Sequence, residues 1–114
     1  MGKKQKYIIP IWKYNYNLKD KNKKFVQIYH NQLFNNKFMK MKANTQILYI
    51  RMLDYSNGQQ ITEYPFRIYK SFITTPTFLN CIKELCDNGF IEVVENGRFN
   101  HKPNKYKFIN NWYK

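Results

Sequence analysis

Asn96, Arg98, Asn100, His101, Lys102, Asn104, Lys105 and Lys107 fall within twelve residues that hold no acid. Cationic groups at this density neutralise phosphates. Arginine can also bridge a guanine edge by two hydrogen bonds, and asparagine an adenine edge. A second group, Thr74, Thr75, Thr77, Asn80 and Lys83, stands where a helix should begin. Hydroxyl and amide groups at a helix N-terminus donate to phosphates or read a base edge. A third group, Lys3, Lys4, Lys6 and Lys13, lies near the start of the chain. All three suit a polyanion. Each also has a plainer reading: a solvated basic loop, a helix cap at Thr75, and a solubilising tail.

Other chemistries find no matching pattern. Cys81 and Cys86 are five apart with no Cys-x-x-Cys pair, and they read as small buried apolar residues in a reducing compartment. His30 and His101 stand alone, whereas zinc needs about four converging ligands. There is no phosphate-binding glycine loop and no serine nucleophile motif. Glu92 and Glu95 are three apart on an expected strand, hence on opposite faces. The expectation is a non-enzyme without metal or cofactor. No stretch approaches the roughly 20 apolar residues of a membrane span, so the expected setting is soluble and cytoplasmic, away from membranes.

The 114 residues carry a formal net charge of +13. Lysine, asparagine, isoleucine, tyrosine and phenylalanine all have A/T-rich codons, so base composition alone can inflate lysine. The position of the charge argues against that source. Residues 1–24 hold eight lysines and one acid, residues 25–95 seven bases and six acids, and residues 96–114 five bases and no acid. Codon bias spreads lysine evenly and does not clear acids from both ends. The sequence thus reads as a basic N-terminal arm at 1–24 and a domain at 25–114 whose C-terminal end is basic. The arm alternates from Trp12 to Leu18, apolar at every second residue, as a strand does. A strand at Phe25–Tyr29 would complete an N-terminal hairpin with it.

The domain is punctuated by Asn57-Gly58, Asn88-Gly89 and Asn96-Gly97, pairs that tolerate positive φ. Lys42–Tyr55 predicts a central helix, with Ala43, Ile47, Ile50 and Leu53 as its stripe, joined by Leu48, Tyr49 and Met52. Pro65–Phe72 predicts a short helix, with Phe66, Tyr69, Phe72 and Ile73 giving the apolar spacing, preceded by a short strand at Ile61–Tyr64. Thr75–Asn88 predicts a third helix, capped by Thr75, with Pro76 at its first position and Gly89 at its end. Its buried face is Phe78, Ile82 and Leu85, flanked by Leu79 and Cys86. Its opposite face carries Asn80, Lys83, Glu84 and Asp87, and those two acids would repel phosphates. Phe90–Glu95 and Lys105–Ile109 predict a hairpin, with Tyr106 and Phe108 on one face of its second strand.

This order is that of an α+β winged helix-turn-helix: a three-helix core with a C-terminal β-hairpin wing, here with a basic N-terminal arm or strand. Residues 74–93, Thr-Thr-Pro-Thr-Phe-Leu-Asn-Cys-Ile-Lys-Glu-Leu-Cys-Asp-Asn-Gly-Phe-Ile-Glu-Val, resemble the recognition helix and first wing strand of prokaryotic winged helices. Phe25–Tyr29, Leu33-Phe34, Phe38 and Ala43–Tyr49 resemble the N-terminal domains of plasmid replication initiators. A short chain of this kind, without an initiator's second domain, also resembles TcpK-like accessory proteins that bind the transfer origin of conjugative plasmids. The resemblance implies a homodimer on double-stranded DNA, working with other proteins of a conjugation or replication complex. It equally allows a transcriptional repressor or a replication-initiation protein of a plasmid or phage. The 21 aromatic residues and basic arm allow a single-stranded nucleic acid binder, and the basic ends allow an acidic protein partner.

Overall fold

A computed structural model describes residues 30–97 and 103–113. The expected arm at 1–24, including Lys3, Lys4, Lys6 and Lys13, and the expected strand at 25–29 lie outside the described residues. So do Arg98, Asn100, His101 and Lys102.

The described chain is α+β. Two short helical segments, α1 (His30–Leu33) and α2 (Asn36–Lys40), lead into the long helix α3 (Ala43–Ser56). Strand β1 (Ile61–Glu63) and the single-turn helix α4 (Phe66–Tyr69) follow. Helix α5 (Thr75–Asp87), strands β2 (Ile91–Glu95) and β3 (Lys105–Phe108), and a 3-10 turn at Asn111–Tyr113 complete it. The three strands form one antiparallel sheet in the order β1-β3-β2. No helix among the described residues is long and apolar enough to cross a membrane.

Helix α3 ends as the sequence predicts. Asn57 adopts φ 53° and ψ 40°, and Gly58 φ 84°. The phase of its buried stripe differs from the prediction. Thr45, Leu48, Tyr49, Met52, Leu53 and Ser56 face inward, while Ala43 and Ile47 are exposed. Apolar residues line most of this helix, so apolarity alone does not select the inner face. Two polar residues occupy it because each finds a partner. The Ser56 hydroxyl donates to the Leu53 carbonyl at 2.8 Å, and the Thr45 hydroxyl donates to Glu84 at 2.5 Å.

Helix α5 starts at Thr75 as predicted, but its cap lies one residue earlier than expected. Thr74, in extended conformation, is the N-cap; its hydroxyl accepts the Thr77 N–H at 3.4 Å. Thr75 lies inside the first turn, and its hydroxyl pairs with the Tyr69 hydroxyl at 3.2 Å. The helix ends in a Schellman motif. The Gly89 N–H donates to Cys86 O at 3.2 Å and the Phe90 N–H to Leu85 O at 3.0 Å. Gly89, at φ 82°, also lies under the C-terminal turn, where an added Cβ would stand 2.8 Å from the Asn111 Cβ. The turn after α5 thus both launches β2 and receives the end of the chain, whose Trp112 N–H donates to Gly89 O.

The core is aromatic. Phe90 is fully buried, stacked on Trp112 at 5.5 Å between centroids and edge-on to Tyr49 at 5.3 Å and Phe38 at 5.7 Å. The Tyr49 hydroxyl accepts from buried Gln32 at 2.8 Å, and burial raises the pKa of this phenol. A second aromatic group joins α4 to α5. Tyr69 and Phe78 stack at 3.9 Å with planes 2° apart, which fixes the short helix against the long one. Cys81 is buried and Cys86 half-buried, both as free thiols, and burial raises the pKa of Cys86.

Candidate nucleic-acid interface

The sheet determines what the hairpin lysines face. Lys105 lies in register with Glu63 on β1 and Glu95 on β2, and Lys107 with Ile61 and Glu92. The Lys105 ammonium reaches the Glu95 carboxylate at 3.6 Å. Three-residue spacing predicted Glu92 and Glu95 on opposite faces. A bulge between Val93 and Glu95 adds a residue and brings both carboxylates beside the lysines. The outer sheet face therefore pairs two lysines with three glutamates. A face balanced in this way has little attraction for phosphate.

Asn104 closes the base of the hairpin loop. Its Oδ1 accepts the Gly97 N–H at 2.9 Å, and its side chain also hydrogen-bonds Tyr106. Burial outweighs that bond and pushes the Tyr106 phenol up to about 12, so it stays protonated at physiological pH. Asn104 thus anchors the loop that carries Arg98 and Lys102. Asn96, exposed, stands at the other root of the loop.

The exposed face of α5 is also largely neutralised. The Lys83 ammonium donates to Asp87 at 2.8 Å, one turn on, and this bond raises the lysine pKa. Glu84 is not the free surface acid that the sequence suggests. It accepts the Lys42 N–H at 3.3 Å and the Thr45 hydroxyl, both at the start of α3. Lys42 is the N-cap of α3 and makes no side-chain cap of its own. Glu84 supplies, from another helix, the back-reaching half of a capping box. Its partner lies 39 residues away, so no local pattern announces it. Replacing Glu84 by alanine leaves the buried Thr45 hydroxyl and the Lys42 N–H unpaired. The expected cost is about 1–2 kcal/mol, read by urea denaturation. A Glu84→Ala variant as stable as the parent would contradict this role.

The N-terminal end of α5 remains open. Thr74, Thr75 and Asn80 are exposed and Thr77 half-exposed. Arg67 and Lys70, on and just after α4, are also exposed; the sequence reading passed over both. Their three-residue spacing on the outer side of α4 was the available signal. A cleft of about 510 Å³ runs between α4, the first turns of α5 and the base of the hairpin loop. Arg67 and Asn104 line it, together with aromatic residues and prolines, and no carboxylate does. On the far side of α5 a smaller cleft is lined by Lys42, Asn80 and Lys83 but also by Glu84 and Asp87. The structure thus brings Phe78 and Leu79 of α5 to the root of the hairpin loop, and places Asn80, Lys83, Lys105 and Lys107 among acids.

The near-neutral body is itself uneven. From Lys21 to Leu53 the sequence contains no acid, and residues 30–53 carry Lys37, Lys40, Lys42 and Arg51. Residues 54–95 carry six acids against Arg67, Lys70 and Lys83. Comparison with models of known families, with curated proteins and with solved structures yields no match.

Proposed function

We propose that this chain is a winged helix-turn-helix protein that binds double-stranded DNA sequence-specifically. In this reading α3, α4 and α5 form the helical core, α4 and α5 are the helix-turn-helix, and β2 and β3 carry the wing. The observation that supports it best is the carboxylate-free lining of the cleft between α4, α5 and the root of the hairpin loop. There Arg67 of α4 and Asn104 at the root of a basic loop line one cleft with Phe78 and Leu79 of α5, and Thr74 and Thr75 are exposed at the first turn of that helix. The N-terminal turn of α5 and Asn80 meet the groove. Arg98, His101 and Lys102 of the wing, with Lys3, Lys4, Lys6 and Lys13 of the arm, supply most of the phosphate contacts. The charge pattern and the resemblance favour an accessory factor of a mobile element, acting as a homodimer at a plasmid origin, with transfer as the first process to test.

Selection of bound sequences from random duplex DNA, followed by footprinting, tests this reading. It is expected to return a defined site, repeated or palindromic if two copies bind. Failure to enrich any sequence would overturn specificity. Enrichment only when single strands are offered would favour a single-strand binder.

A further inference from the structure

The cleft beside the start of α5 holds two large apolar side chains that contribute little to the core. Phe66 is 57% and Leu79 56% exposed, although helical spacing assigns Phe66 to the inner face of α4 and sets Leu79 beside the buried stripe of α5. Both line the same cleft, over a floor that includes Tyr69 and Tyr106. Phe66 meets Tyr69 edge-to-face at 5.5 Å between centroids, which holds one edge of its ring and leaves much of its surface to solvent. Its polar groups include the Arg67 guanidinium and the Asn104 amide, the latter fixed by its bond to Gly97, beside the phenols of Tyr64, Tyr69 and Tyr106. Among the exposed apolar side chains of the described residues, these two share one cleft, which gives a flat ligand an apolar wall on each side.

We propose that this cleft takes an unpaired nucleobase from locally opened or bulged DNA, stacked against Phe66 and walled by Leu79. The proposal rests on the DNA-binding reading above and goes beyond it. The charge of the cleft selects this occupant. Arg67 is a cation on its wall and no carboxylate lines it, so an incoming strand would meet positive charge and no repelling group there. A base offers a flat π face to Phe66 and edge groups to Asn104, while its phosphate can reach Arg67. The volume of about 510 Å³ accommodates a base with its sugar. A fully paired duplex keeps its bases stacked and leaves the cleft empty.

The test uses the full chain and two duplexes of identical sequence, one carrying a single extra unpaired thymine, compared at about 0.15 M salt. The bulged duplex is expected to bind about tenfold more tightly, the scale of one base stacked on an aromatic side chain. Phe66→Ala should abolish that margin and leave affinity for the paired duplex within about twofold; Phe66→Tyr, which keeps the ring, should retain the margin. Equal affinity of the wild-type chain for both duplexes would overturn this proposal and leave the duplex reading standing. A margin that survives Phe66→Ala would also overturn it. Binding to neither duplex would remove both readings together.

Discussion

Replacing Phe90 by alanine is expected to cost about 3–5 kcal/mol of folding stability. Phe90 is fully buried, and three rings pack on it from three separate parts of the chain: Phe38 of α2, Tyr49 of α3, and Trp112 of the C-terminal turn. Its backbone closes the end of α5 through the N–H bond to Leu85 O, and its carbonyl accepts the Ile109 N–H. The side chain cannot be replaced by movement of one neighbour, because each neighbour is held elsewhere. Against a total of roughly 5–15 kcal/mol for a domain of this size, the loss is a large fraction. The midpoint of thermal unfolding should fall on the order of 15–30 °C. Leu79→Ala, at an exposed position, should stay within about 0.5 kcal/mol of the parent. A Phe90→Ala variant that loses less than about 1 kcal/mol would contradict the packing described here.

The second large effect concerns binding. Replacing Arg98 and Lys102 together by alanine is expected to lower the log–log salt slope of duplex affinity by about two units. Affinity at about 0.15 M salt should drop roughly ten- to fiftyfold, with little dependence on sequence if the lost contacts are to phosphate. Replacing Asn80 and Lys83 together should change the slope by less than about one unit, because Lys83 is already held by Asp87. That pair should instead relax preference at one or two base positions through Asn80. An equal or larger slope loss from the helix pair would reverse the assignment of wing and helix.

Local signals carried much of the fold. The Asn-Gly pairs, Pro65 and Pro76 placed the helix ends within a few residues, since each acts through its own backbone dihedrals. Alternation placed Tyr106 and Phe108 inward on β3. What failed depended on partners distant in sequence. The inner face of α3 was ambiguous because most of that helix is apolar, and Glu84 decided where Thr45 could be buried. Phe66 has helical spacing for burial, but α4 is one turn long and only Tyr69 of it is buried. The bulge that aligns Glu92 and Glu95 with Lys107 and Lys105 leaves no mark in the period of β2. The basic residues of the candidate site were visible as composition. Which of them meet acids was not, because pairing across strands β1, β2 and β3 sets it.

The central claim is that the open start of α5, the wing and the arm form a site for a particular duplex. Its most direct test is equilibrium binding of the full chain to a selected duplex and to a scrambled duplex of equal length, at about 0.15 M salt. The account predicts a dissociation constant of about 10⁻⁸ M or tighter for the selected site and at least about a thousandfold weaker binding to the scrambled one. Equal binding of the two, at about 10⁻⁴ to 10⁻⁶ M, would mean that only charge attracts DNA and would contradict it.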